Sequence, residues 1–186
     1  MKRILSVKCV RLLLKYCLSL FYDKQYLEGY YFDYKSMGWF WAIRGILGKL
    51  IGNSFNVPWP VHPSTIVSGS ERIFFDKDDI HIFQVPGCYW QAHDANIHVG
   101  KKCYIAPNVG LITTNHDVYN PSRHVKGKDI VISDNCWIGM NSVILPGVCL
   151  GENTVVAAGS VVSKSFPDGR CVIGGVPAKV IRFLRD

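Results

Sequence analysis

A chain of 186 residues, 48% hydrophobic and 19% charged, with no low-complexity tract, is long enough for one sizeable core and excludes a disordered or fibrous protein. Its formal net charge of +7 suits an anionic partner, whether nucleic acid, a membrane surface or a phosphorylated cosubstrate, without choosing among them. The cysteines, Cys9, Cys17, Cys88, Cys103, Cys136, Cys149 and Cys171, are odd in number and never spaced C-x-x-C. That argues against a zinc site or a disulfide framework and for reduced thiols acting as small buried residues.

The first 22 residues are basic and apolar, but Lys8, Arg11 and Lys15 interrupt the apolar run. Neither a cleavable signal peptide nor a bilayer span is expected. On a helical wheel Lys8, Arg11, Lys15 and Ser19 share one face, and Val7, Val10, Leu13, Leu14, Cys17, Leu18 and Phe21 the other. Such an amphipathic helix packs on its own domain, on a neighbouring subunit, or on an anionic membrane. Residues 1–58 as a whole read as helical and aromatic, through Tyr30, Tyr31, Phe32, Tyr34, Trp39, Phe40 and Trp41, and are expected to cap the domain of residues 59–186. Pro58-Trp59-Pro60 marks the boundary.

Val61, Val67 and Ile73 keep a spacing of six, which then blurs, so residues 59–98 read as early, irregular coils. The rule returns at Val99, Ile105 and Leu111 and is strict from Ile132 through Ile138, Ile144, Leu150, Val156 and Val162. A period of six fits neither an amphipathic helix nor a half-buried strand. It fits a short flat strand and a turn, repeated so that three units close a triangular coil whose inward aliphatics stack. The 21 residues from Leu111 to Ile132 break the register. The polar segment NHDVYNPSRHVKGKD must therefore leave the coil as a loop, near 117–129, and such loops are where chemistry usually sits.

The run WIGMNSVILPGVCLGENTVVAAGSVVSK and the later GGVPAKVIR resemble the hexapeptide-repeat acyltransferases, and within them the sugar and capsular polysaccharide O-acetyltransferases of the galactoside and maltose type. The resemblance is strong over about Val99 to Arg182. It implies an all-β, left-handed parallel β-helix carrying an N-terminal helical segment, acetyl-CoA as donor, a sugar or polysaccharide precursor as acceptor, and trimers with active sites between subunits. The family's catalytic histidine falls on His116, in Thr114-Asn115-His116-Asp117. A hydroxyl is a poor nucleophile at neutral pH, and an imidazole is suited to taking its proton before direct attack on the acetyl carbonyl. The resemblance places the acceptor near Asp94, with Asn115 and Asp117 beside the base. It lays coenzyme A along Gly139, Met140, Ala158, Ser163 and Lys164, with its phosphates at Lys179 and Arg182. Met140 stands where several relatives have a small polar residue, and Lys179 replaces a frequent Arg, losing the bidentate fork. Trp137 is read either as a wall near the acyl arm or as packing at a subunit interface.

His93, His98 and His124 are further candidates by proximity in sequence; His62 and His81 are not. No histidine pair has metal-ligand spacing, so no metal is expected. The alternatives are N-acetylation of an amino sugar, serine O-acetylation (disfavoured because such relatives carry a long helical N-terminal domain) and a non-catalytic β-helix scaffold. No nucleic-acid recognition motif is present. The expected location is the cytoplasm, at the inner face of the membrane if residues 1–22 touch it.

Overall fold

A computed structural model describes residues 8–185; the part of the amphipathic reading that falls on residues 1–7, Val7 included, lies outside them. From Ile66 onward the chain winds as a coil. Its strands are β1 (Ile66–Ser68), β2 (Ile73–Phe74), β3 (Tyr89–Gln91), β4 (Ile97–Val99), β5 (Tyr104–Ile105), β6 (Gly110–Ile112), β7 (Ile130–Ile132), β8 (Trp137–Ile138), β9 (Val143–Ile144), β10 (Cys149–Leu150), β11 (Val155–Val156), β12 (Val161–Val162), β13 (Cys171–Gly175) and β14 (Ala178–Phe183).

Three sheets take these strands in rotation: β1-β3-β6-β9-β12, β2-β4-β7-β10, and β5-β8-β11-β13-β14. Up to β12 no strand pairs with its neighbour in sequence; each pairs in parallel with the strand one full turn on. The result is a three-sided parallel coil. Ile132 lies opposite Leu150, Ile138 opposite Val156 and Ile144 opposite Val162. All six are buried, so the period of six read from the sequence is an inward column of aliphatics on each side. Only β14 runs antiparallel, folding back on β13 to finish the coil.

The corners obey a second period of six. Asn135, Asn141, Gly147, Asn153 and Gly159 all have φ between 57° and 85°. Each side of the coil thus ends on one left-handed residue, which Asn and Gly adopt at least cost. Gly139 serves the corner differently: a Cβ there would meet Val156 O at 2.6 Å and Ala158 N at 2.7 Å on the next turn.

The all-β expectation holds only for the coil. Two helices precede it, α1 (Lys8–Leu18) and α2 (Met37–Leu50), with a π-helical turn at Tyr30–Tyr34 between them. The expected boundary is packed rather than open. Trp59 is buried, 4.9 Å from the Phe75 ring and 5.1 Å from Phe83, and Phe83 lies 4.4 Å from Trp90 inside the first turns. The register blurs after Ile73 because a 3-10 segment, Lys77–Phe83, takes the place of a third-side strand and buries Ile80, Ile82 and Phe83.

Two sequence readings are corrected here. α1 turns its charged edge inward: the Arg11 guanidinium donates to Asp33 O and Ser36 Oγ, both at 3.1 Å, and Lys15 pairs with Glu28 at 2.9 Å. Leu13, Cys17 and Phe21, on the apolar side of the wheel, are exposed, while Leu18 is buried. In consequence Cys9 and Cys17 are not buried thiols; the buried ones are Cys88, Cys103, Cys136 and Cys171.

Candidate active site

The turn of the coil that carries the excursion takes 33 residues from Ile105 to Ile138, where the next takes 18 from Ile138 to Val156. The chain leaves after β6 and returns at β7, so residues 113–129 form the loop. Its mouth is clamped by a residue that the sequence reading missed. The Gln91 Oε1 accepts the Thr113 and Thr114 amides at 2.9 and 3.1 Å, and its Nε2 donates to Thr114 O at 3.2 Å. Gln91 is buried, and burial of an amide is tolerated only when it is so satisfied. The returning limb is held by Asp94, whose Oδ2 accepts the Gly127 amide at 3.1 Å. Only glycine fits there, since a Cβ would meet Thr114 Oγ1 at 2.7 Å and the Asp94 carbonyl carbon at 2.9 Å.

Within the loop the Val125 amide donates to Asn115 O at 3.0 Å and the Asp117 amide to Arg123 O at 2.9 Å. This two-sided ladder sets His116 opposite His124, with ring centroids 4.3 Å apart. Asp117 spends its carboxylate on the loop itself: Oδ1 accepts the amides of Tyr119 and Asn120 at 2.8 and 3.3 Å. His116 Nδ1 lies 2.7 Å from Pro121 O. A carbonyl can only accept, so Nδ1 carries the proton, and in the neutral ring Nε2 presents a lone pair.

Beside this pair opens a cavity of about 250 Å³ lined by His93, Asp94, Thr114, His124, Val125 and Lys126. The Thr114 hydroxyl on its wall is buried and has no hydrogen-bond partner among the described residues. Of the histidine candidates, His93 and His124 line this cavity, and His116 reaches it through its contact with His124. His98 does not; it stacks on Phe74, 4.8 Å away, on the second sheet.

The residues expected at coenzyme A do not share one corner. Met140 and Ala158 are exposed on successive turns at one corner, joined by the Gly159 amide donating to Met140 O at 2.8 Å. A Cβ on Gly159 would meet nothing within 4 Å, so a thin ligand has room there, whereas Gly139 is buried beneath. Within one chain the first sheet separates this corner from the one at which the loop leaves. Ser163 and Lys164 follow β12 and share the loop's corner. Lys179 and Arg182 lie three apart on β14, which in a regular strand would put them on opposite faces. A bulge opposite Val172/Ile173 pairs Lys179 with Gly174 and Arg182 with Val172, bringing both cations to one outer face. Trp137 is half exposed on β8, between Tyr104 and Val155 of the neighbouring strands.

Residues 129–164 match the family described as bacterial transferase hexapeptide (six repeats). The chain is 42% identical over 96 residues to galactoside O-acetyltransferase of Escherichia coli K12, covering 50% of this chain and 47% of that protein. It is 38% identical over 97 residues to galactoside O-acetyltransferase of Lactococcus lactis, covering 50% and 46%. The chain thus spans about half the length of the curated relatives it matches. Among solved structures it resembles a hexapeptide-repeat-containing acetyltransferase of Vibrio cholerae O1 biovar eltor, complexed with acetyl coenzyme A. That likeness has a TM-score of 0.56 at 30% identity, over 67% of this chain and 66% of that one.

Proposed function

We propose that this protein transfers the acetyl group of acetyl-CoA to a hydroxyl of a sugar or polysaccharide precursor, with His116 as general base. The observation that carries the reading is the 2.7 Å hydrogen bond from His116 Nδ1–H to Pro121 O, which leaves Nε2 as the acceptor of a proton on a ring packed 4.3 Å from His124, a residue of the cavity wall. Acetyltransferases among the matched relatives, and a solved neighbour complexed with acetyl coenzyme A, support the donor.

In this mechanism the acceptor sits in the cavity, where the unpartnered Thr114 hydroxyl, the Asp94 carboxylate and Lys126 orient it. Asn115 and Asp117 act mainly by shaping the loop that holds His116. Nε2 takes the acceptor proton as the oxygen attacks the thioester carbonyl: a C–O bond forms, the C–S bond breaks, and the proton passes from His116 to the departing thiolate. Ala158, Met140 and Gly139 flank the pantetheine arm, Ser163 and Lys164 meet the cosubstrate from the loop's corner, and Lys179 and Arg182 meet the phosphates.

The coil is proposed as left-handed, and the assembly as a homotrimer. Because Gly139, Met140 and Ala158 stand at a different corner of the chain from the loop, a neighbouring copy that brings this corner against the loop completes the site. The test is thiol release from acetyl-CoA with a panel of galactosides, other sugars, amino sugars and serine. Release is expected with sugar hydroxyls. Release with amino sugars or serine alone, or hydrolysis indifferent to every acceptor, overturns the reading.

A further inference from the structure

A helix on the outside of a soluble protein turns its apolar side inward. Here the outer sides of both helices are apolar. Leu12, Leu13 and Tyr16 on α1 and Leu20 just after it are exposed, while Arg11 and Lys15 are engaged inward with Asp33, Ser36 and Glu28. On α2 the exposed side carries Phe40, Ile43, Leu47 and Leu50. The two sides join at a groove lined by Leu20, Phe21, Leu50, Gly52 and Phe55. The Lys49 stem also lines this groove, but its ammonium is turned inward onto the carbonyls of Ser54, Phe55 and Val57. A contiguous apolar surface of this kind marks an interaction site.

Charge selects the occupant. Residues 1–56 hold nine Lys and Arg against three Asp and Glu, a balance of +6, while the remaining 130 residues hold twelve against eleven. The described residues 8–56, which carry the apolar face, hold seven of those Lys and Arg and all three of the acids, a balance of +4, with Lys24 and Lys35 exposed. Two copies meeting through this face would set a positive segment against a positive segment, whereas an anionic surface would be drawn to it. Length selects the mode. Among the described residues α1 has 11 residues and α2 has 14, about 16 and 21 Å, short of the roughly 30 Å hydrocarbon core. Among the described residues no helix is long and apolar enough to cross a membrane.

We propose that the joined outer faces of α1 and α2 dock the protein in the plane of an anionic lipid surface. The proposal does not depend on the acetyl-transfer reading. Its test is flotation of the full chain with vesicles of phosphatidylcholine alone or enriched in phosphatidylglycerol, at low and high salt. Two variants are compared, Leu20→Gln alone and Leu12→Gln/Leu20→Gln/Leu47→Gln/Phe55→Gln, with thermal melts to verify folding and sedimentation velocity to follow assembly. The wild type is expected to float with the anionic vesicles, less so at high salt. The fourfold variant should lose at least roughly tenfold in partitioning, and the single variant a smaller share. A wild type that stays with neither vesicle, or a folded fourfold variant that floats as well as the wild type, overturns the proposal. So does an oligomer that the fourfold variant dissociates while no vesicle binding is seen, which assigns the face to a second copy.

Discussion

Replacing His116 with alanine separates chemistry from folding more cleanly than any other change in this molecule. The side chain is exposed, and its one hydrogen bond, Nδ1 to Pro121 O, lies within the loop. Losing it forfeits about 1 kcal/mol at most, since the carbonyl can turn to water. The loop keeps its anchors, because the Val125–Asn115 and Asp117–Arg123 backbone bonds and the Gly127–Asp94 bond do not involve the imidazole. Loss of a general base costs about 10²–10⁴ in turnover, or roughly 2.7–5.5 kcal/mol of barrier. The expected outcome for His116→Ala is thus kcat down by two to four decades, with Tm within a few degrees of wild type and the KM for acetyl-CoA nearly unchanged. The assay is initial-rate thiol release with a verified acceptor, paired with a thermal melt. Turnover within threefold of wild type removes His116 from the chemistry. A collapse of Tm alongside lost activity makes its role structural, which would contradict the exposure and hydrogen bonding described above.

Three further outcomes follow from the same geometry. Replacing Lys164, Lys179 and Arg182 together by alanine should raise the KM for acetyl-CoA by about tenfold or more, with kcat nearly preserved and the effect shrinking at high salt, because phosphate contacts bind ground and transition states alike; unchanged affinity assigns these cations elsewhere. Ile138→Ala removes a fully buried link in the third-side column and should destabilise by about 2–5 kcal/mol in chemical denaturation, so a loss below ~1 kcal/mol contradicts the stacked-column account. Burial holds the imidazoles of His81 and His62 below their ordinary range, more weakly opposed at His81 by Asp79 and by the Cys103 carbonyl. In acid the unfolded chain then binds more protons at these sites than the folded one. Their contribution is present above the ordinary histidine pKa, about 6.5, and is lost as pH falls through it toward the folded values. Tm should therefore drop between about pH 7 and 5, and His81→Gln should flatten part of that drop; a wild-type Tm flat across the window refutes this.

The coil was legible because its physics is periodic. An inward residue every six positions leaves a mark in Ile132, Ile138, Ile144, Leu150, Val156 and Val162 that no helix or ordinary strand would leave. The corner rule was equally present, as Asn135, Asn141, Gly147, Asn153 and Gly159, yet it passed unread. The small residues next to the aliphatics look like the turn, while the left-handed position lies three residues on. The first turn was illegible for the opposite reason, since Lys77–Phe83 buries its apolar residues from a 3-10 segment in place of a strand and so breaks the period without breaking the core. α1 misled through its own amphipathicity. The wheel identifies two faces but not which one looks inward, and partners distant in sequence, Glu28 and Asp33, draw the charged edge in.

At the site, the broken register made the loop readable and the family resemblance singled out His116 within it, but the contacts that orient its imidazole were not readable. The Nδ1–H to Pro121 bond arises from a loop fold that no periodicity encodes, and Gln91 clamps the loop mouth from 22 and 23 residues away in sequence. Lys179 and Arg182 make the same point in reverse. Alternation along a strand would separate them, and only the bulge between their pairings with Gly174 and Val172 gives them a common face. The coil's regularity supplies a rigid frame that could be foreseen, and the departures from it, one inserted loop, one bulge and one inverted helix, carry the features that distinguish this chain from any other stack of six-residue repeats. Each departure ends in a group that finds no partner among the described residues: the His116 Nε2, the cations of Lys179 and Arg182, and the outer apolar face of the two helices.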